Sequence, residues 1–146
     1  MPDTTRATRI SEVATVFVPV SDQERALEFY VDQLGFEKRA DFHYGEGRRW
    51  VEVTPPGATN GIALVPASEG RAVGGDQTHC ALATEDIEAD HAALRARGVD
   101  VDEQIARTGT PRSGLISIDV SVPDPVPAQF FLRDPDGNRF LVVEQA

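Results

Sequence analysis

Alternation of hydrophobic and polar residues marks the first regular element of the chain, residues 13–20, VATVFVPV. Val16, Val18 and Val20 alternate with Thr15 and Phe17, which is the period-two pattern of a half-buried β-strand. Helical spacing replaces this alternation in the next segment, where the apolar positions are Ala26, Leu27, Tyr30, Val31 and Leu34. The chain therefore opens with a strand followed by a helix.

Residues typical of helix ends and turns delimit the first helix and the segments after it. Ser21 or Asp22 can cap the N-terminus of the helix, and Gly35 fits a left-handed C-terminal stop. Three strand-like segments follow, at about 36–44, 48–54 and 61–66. The turn-forming sequences GEG and PPGATN separate these segments. The predicted unit is therefore strand, helix and three strands.

The same order of elements starts again after the glycine-containing stretch SEGRAVGGDQ. THCALATED predicts a strand and DIEADHAALRARG a helix, so that Asp22 aligns with Asp86 and Thr15 with His79. Further strands are predicted at about 99–105, 128–133 and 139–144, the last two joined by the turn sequence DPDGN. The sequence thus predicts one α+β domain over 11–146, with modules at about 11–67 and 77–146, after a flexible lead at 1–10.

The long segment at 107–127 has no counterpart in the first module. Its stretch LISIDVSV alternates like a strand, whereas the prolines that follow exclude a central strand there. Long connections of this kind are often lids over binding sites. The segment is therefore either a lid, with Arg112 and Asp119 closing over a ligand, or an extension of the sheet.

Composition and charge narrow the class of protein. The 146 residues are 40% hydrophobic and 26% charged, as in soluble globular domains, and the net charge is −10. Such a charge disfavours nucleic acid and anionic membranes as partners. The polar N-terminus and the single cysteine, Cys80, lead us to expect a cytoplasmic protein without internal disulfides. Cys80 should face the helix as a buried, unreactive thiol.

The duplicated unit resembles the vicinal oxygen chelate superfamily, which includes glyoxalases, bleomycin-resistance proteins and extradiol dioxygenases. The resemblance rests on VPVSDQERALEFYVDQLGF, on THCALATEDIEADHAALRARGV and on FFLRDPDGNRFLVVE, and it covers about residues 12–145. It implies that the two βαβββ modules form a curved, cup-like mixed sheet with helices on the convex face. It also implies a ligand pocket on the concave face and a homodimer.

The resemblance further implies where a divalent metal would bind. The four positions that hold metal ligands in the family's enzymes correspond here to Thr15, Ala63, His79 and Leu141. Thr15 is a poor ligand, and Ala63 and Leu141 have no donor atom. We therefore expect no metal at this site and no cofactor, and we expect His79 to contact a ligand or a water. His79 is also the best candidate if any acid–base catalysis occurs.

Strand alternation predicts the other residues of the pocket. Phe17 and Trp50 should present aromatic rings to the cup, where they can stack on flat or cationic ligands. Glu52, beside Trp50, would add a negative charge, unless it is simply solvated. The candidate ligand-binding residues are Thr15, Phe17, Trp50, Glu52, Ala63, His79 and Leu141.

These residues favour a metal-independent binding protein that sequesters a drug-like, aromatic or cationic small molecule. The alternative is a divalent-metal-dependent lyase, isomerase, epimerase or dioxygenase whose site is rebuilt around His79, with Glu52 and His43 as added ligands. A third hypothesis is an interaction protein that uses the fold as a scaffold, without a pocket. His91, on the second helix, is expected to face outward and is a weaker candidate for any of these sites.

Overall fold

The computed structural model of the chain describes residues 7–67, 73–74, 77–107 and 127–145. In the first module, the elements are β1 (Thr15–Val20), α1 (Gln23–Leu27) continued by a π-helix (Glu28–Gln33), β2 (Glu37–His43), β3 (Arg49–Thr54) and β4 (Gly61–Pro66). In the second, they are β5 (Thr78–Thr84), α2 (Ile87–Ala96), β6 (Asp100–Val101), β7 (Gln129–Arg133) and β8 (Arg139–Glu144). No helix in these ranges is long and apolar enough to cross a membrane.

Each module forms a four-stranded mixed sheet. The strand orders are β1-β4-β3-β2 and β5-β8-β7-β6. The first strand of each module is parallel to the last, and the remaining pairs are antiparallel. The predicted α+β fold of two βαβββ modules is therefore confirmed. The helices cover one face of the sheets, and we call the opposite surface the helix-free face.

The hydrophobic core lies between the helices and the sheets. Val18 and Val20 of β1 are fully buried, as is Val53 of β3, and all three belong to the core cluster. From the π-helix, Tyr30 packs among them with no exposed surface. Because side chains alternate along a strand, the residues between these valines must face the other way. The core therefore fixes which side chains reach the helix-free face.

The two helices begin at the positions that the repeat predicts. The Asp22 carboxylate accepts hydrogen bonds from the backbone N–H groups of Glu24 and Arg25. The Asp86 carboxylate does the same for Ala89. Each aspartate thus satisfies donors that a helix N-terminus leaves unpaired.

The first helix differs from the single α-helix that its spacing predicts. The Leu34 N–H donates to the Phe29 carbonyl at 3.0 Å, five residues back, as in a π-helix. More residues per turn reduce the angle between neighbouring side chains, and the adjacent Phe29 and Tyr30 are both buried. Gly35 then ends the helix with φ +81°, and the Phe36 N–H donates to the Tyr30 carbonyl, as the predicted glycine stop requires.

The second module departs from the predicted pattern after α2. The strand predicted over 99–105 is only the two-residue β6. The Asp102 N–H still donates to the Phe131 carbonyl at 3.0 Å, but the Phe131 N–H donates to the Asp102 carboxylate, also at 3.0 Å, and no longer to a backbone carbonyl of this segment. The same carboxylate accepts from the Arg133 guanidinium at 3.2 Å. Residues 108–126, with Arg112 and Asp119, lie outside the described residues, and their role stays a prediction.

Candidate ligand-binding site

The predicted pocket residues of the first module lie side by side on its helix-free face. Phe17 in β1 is opposite Ala63 in β4, which in turn is opposite Glu52 in β3. Trp50 lies two residues before Glu52 on the same face, and Thr15 two residues before Phe17. The structure therefore brings these five residues together on the helix-free face.

Aromatic side chains dominate this face. The rings of Phe17 and Trp50 meet edge to face, with centroids 5.9 Å apart and an interplanar angle of 87°. Phe42 pairs with Trp50 across β2 and β3, and is 53% exposed. Tyr44 directly follows β2; continued alternation would put it on the same side, and it is also exposed. We call Phe17, Phe42, Tyr44 and Trp50 the aromatic face.

Sequence reasoning missed Phe42 and Tyr44. The segment FEKRADFHY has too many charged residues for a clear alternation, and the structure places a β-bulge between Lys38 and Ala40. A bulge shifts every later side chain to the other face, so a count from the strand's start gives the wrong side. Trp50 was already predicted to face the pocket. Phe42 is its partner across β2 and β3, and this pairing is the signal that could have identified Phe42.

Glu52 is neither solvated nor open to a ligand. Its side chain is 7% exposed, and its Oε1 accepts a hydrogen bond of 3.1 Å from the indole Nε1 of Trp50. Its Oε2 lies 3.0 Å from Nε of Arg39. The two groups form an ion pair, but the geometry does not allow a hydrogen bond. Glu52 therefore fixes the orientation of Trp50, and Arg39 already offsets its charge.

Gly61 provides the space for this carboxylate. A Cβ atom at Gly61 would lie 2.5 Å from Oε2 of Glu52 and 3.1 Å from its Cγ. Any other residue at position 61 would push Glu52 away and disturb its bond to Trp50. The glycine is thus a steric requirement of the aromatic face.

The helix-free face of the second module is less exposed. Leu141 in β8 is opposite both Ala81 and Phe131, and both Leu141 and Phe131 are buried. The Arg139 guanidinium lies 4.3 Å from the centroid of Phe131, and its Nε donates to the Thr78 hydroxyl at 3.0 Å. Leu141 thus lies on the predicted face, but in apolar surroundings.

His79 occupies a bulge in β5. Thr78 pairs with Arg139 and Cys80 with Phe140, so His79 is an extra residue between them. Its Nε2 lies 3.2 Å from the side-chain Oδ1 of Asn138, which is fully buried. His79 therefore has no partner in the β5–β8 register, in which Ala81 pairs with Leu141. Its side chain contacts the turn before β8 instead.

That turn, the DPDGN turn at residues 134–138, joins the two modules. Asn138 Nδ2 donates to the Pro19 carbonyl at 2.7 Å, and the Tyr30 hydroxyl donates to Asp134 at 2.8 Å. The Ser21 hydroxyl donates to the Asp136 carboxylate at 2.6 Å. Burial, together with the neighbouring Asp134, raises the pKa of Tyr30 well above its ordinary value. Tyr30 therefore stays protonated and remains a donor.

The remaining titratable candidates, Cys80 and His91, are packed into the fold. Burial raises the pKa of the Cys80 thiol to about 11, so the reactive thiolate is disfavoured at neutral pH. His91 does not face outward as expected. Its Nε2 lies 2.7 Å from the Asp102 carbonyl and its ring packs against Phe130 with centroids 4.9 Å apart, because α2 packs over the second sheet.

The residues do not fit the family's metal site. Thr15, Ala63 and Leu141 supply at most a hydroxyl, which leaves His79, whose Nε2 already lies within hydrogen-bonding distance of Asn138. His43 pairs with Arg49, which places it on the opposite sheet face from Glu52. Across the ranges that the structure describes, no three His, Cys, Asp or Glu side chains are grouped to hold a metal ion.

Comparison with known proteins agrees with this fold. The sequence-family model of the Glyoxalase/Bleomycin resistance protein/Dioxygenase superfamily matches residues 9–142. The chain belongs to that superfamily. The uncharacterized protein YetH of Bacillus subtilis (strain 168) is 29% identical over 137 residues, which are 92% of this chain and 99% of YetH.

Two similar solved structures add detail. A superfamily member from Sphaerobacter thermophilus DSM 20745 is 34% identical with a TM-score of 0.78, over 94% of this chain and 100% of that one. TnmS3, an antibiotic-binding protein from Streptomyces sp. CB03234, is 34% identical with a TM-score of 0.73, over 95% of this chain and 99% of that one.

Proposed function

We propose that this protein binds and sequesters an aromatic, drug-like small molecule on its aromatic face, without a metal or cofactor. The observation that carries the proposal is the edge-to-face pair of Phe17 and Trp50, with Trp50 held by the buried Glu52. Exposed rings that are fixed in position bind flat ligands at a low entropic cost. The likeness to an antibiotic-binding protein supports this class of ligand.

The charge balance of the face favours a neutral ligand over a cation. Glu52 is the carboxylate beside Trp50, and Arg39 lies against it. A cationic ligand would have to displace Arg39 and approach a side chain that is only 7% exposed. Stacking therefore contributes more to recognition than charge does. We further propose a homodimer, as the family resemblance implies, and a cytoplasmic location, in keeping with the single cysteine.

Trp50 is the only tryptophan of the chain, so its fluorescence reports directly on this face. We suggest titration with three planar probes of different charge: neutral menadione, cationic proflavine and anionic 8-anilinonaphthalene-1-sulfonate. We expect saturable quenching, strongest for the neutral probe, and the same affinity with EDTA or with added zinc. Calorimetry then measures affinity in variants that lack Trp50.

Trp50→Ala should weaken binding by about tenfold, because an aromatic contact contributes up to about 1.5 kcal/mol. Trp50→Phe should lose less binding affinity than Trp50→Ala, since phenylalanine keeps an aromatic ring. Val13→Ala, which removes an exposed apolar side chain next to β1, is the matched control and should bind normally. Absence of binding for all three probes, or binding only in the presence of metal, would contradict the proposal.

A further inference from the structure

A cavity of about 170 Å³ lies under α2, at the junction of the two modules. Leu34 and Phe36, which follow the first helix, form one wall, and Leu94 of α2 forms another. The floor consists of Leu132 and Val142, which are core residues of the second sheet. This cavity therefore lies on the helix side of the second sheet, whereas the candidate site lies on the helix-free faces.

The mouth of the cavity is polar, but its polar groups already have hydrogen-bond partners within the protein. The Thr84 hydroxyl makes a short hydrogen bond to the Asp90 carboxylate. The Arg97 guanidinium donates to the Gln33 carbonyl at 2.9 Å, and the Gln33 side chain donates back to the Arg97 carbonyl at 3.2 Å. A ligand would thus meet an apolar interior and an entrance of balanced charge, which favours a neutral, apolar molecule.

We infer that this cavity is a second ligand site, which takes a compact neutral ring compound about the size of benzene or toluene. An apolar cavity of about 150 Å³ excludes ordered water and binds benzene in another protein. The cavity described here has a similar volume and lining, and it also has a mouth through which a ligand can enter. Both modules contribute walls, so an occupant would contact the two halves of the fold at once.

Toluene is a direct probe of this site. In methyl NMR spectra, toluene should shift the signals of Leu34, Leu94, Leu132 and Val142 saturably, and should leave that of Ala81, on the helix-free face of the second module, unchanged. It should also raise the melting temperature, because a ligand that binds only the native state stabilises it. Toluene binding should persist in Trp50→Ala, which separates this site from the aromatic face.

Ala93 lines the cavity, and its neighbour Ala92 is exposed on α2, which provides a matched pair of variants. Ala93→Phe should fill the cavity and abolish the toluene shifts, whereas Ala92→Phe should retain them. Ala93→Leu tests the same point with a smaller side chain if the phenylalanine variant does not fold. Unshifted methyl signals in the wild-type protein, or binding that survives Ala93→Leu unchanged, would overturn the inference.

Discussion

Gly61 and Glu52 show how a single residue without a side chain supports a candidate site. The space that Gly61 leaves is filled by the Glu52 carboxylate, whose other oxygen accepts from Trp50. Gly61 is not among the glycines with positive φ, so its backbone conformation is open to any residue. Its role is therefore steric, and a substitution tests that role alone.

Gly61→Ala should destabilise the protein by about 1–3 kcal/mol, because the added methyl group collides with a carboxylate that is held on both sides. Urea unfolding measures the loss, and the emission of Trp50 should change in the folded state. The double variant Gly61→Ala/Glu52→Ala should be more stable than the sum of the single effects predicts, since the clash is gone. Additive effects would show that Gly61 and Glu52 do not interact.

At the scale of elements, an ion-pair network links the first helix to the β2–β3 hairpin. Arg49 of β3 holds both oxygens of Asp41 of β2 at 2.7 Å, and its third nitrogen lies 2.6 Å from Glu24 of α1. Hydrogen bonds from Arg49, and secondarily from Lys38, lower the pKa of Asp41 far below its ordinary value of 3.8. The carboxylate therefore stays charged to unusually low pH.

The direction of this shift predicts a pH dependence. A lowered folded-state pKa gives stability that is present above the unfolded value and lost as the pH falls below it. Asp41→Asn should therefore be less stable than wild type at pH 7, and the difference should shrink as the pH falls below about 3.8. Thermal unfolding of the variant and the wild type between pH 7 and pH 2 measures the difference in stability and its decrease at low pH. Asp32→Asn, at an exposed helical site, is the control and should change the stability at pH 7 by less than about 0.5 kcal/mol.

At the scale of the whole molecule, the DPDGN turn fastens one module to the other. Asp134 accepts hydrogen bonds from the backbone N–H groups of Asp136 and Asn138, from the Asn138 side chain and from Tyr30. Only the bond from Tyr30 comes from the other module. A buried carboxylate needs such donors, because it has lost its water.

Tyr30→Phe removes this one inter-module donor and keeps the ring. We expect a loss of about 1.5–3 kcal/mol, the usual range for a hydrogen bond to a charged group. The only other tyrosine, Tyr44, is exposed, so Tyr44→Phe is a matched control that should change stability by less than about 0.5 kcal/mol. Equal free energies of unfolding for the two variants would show that the Tyr30–Asp134 bond does not stabilise the fold.

Several features of the molecule follow from the sequence alone. The alternation in β1 and β3 predicted the inward valines and the outward Phe17 and Trp50, because strand periodicity assigns each residue to a face. The paired caps Asp22 and Asp86 revealed the duplication, because helix N-termini leave backbone donors that a short carboxylate satisfies. Ala63 and Leu141, whose side chains have no donor atom, were the basis for expecting no metal at the family's site.

Other features were decided only by the tertiary structure. A bulge in β5 moved His79 out of register, and one in β2 hid Phe42 from the alternation. Tyr30 and Asp134, which are 104 positions apart, meet only because the modules pack together. Local patterns reflect forces between near neighbours in the chain, whereas bulges and buried polar partners depend on which distant groups need their hydrogen bonds satisfied.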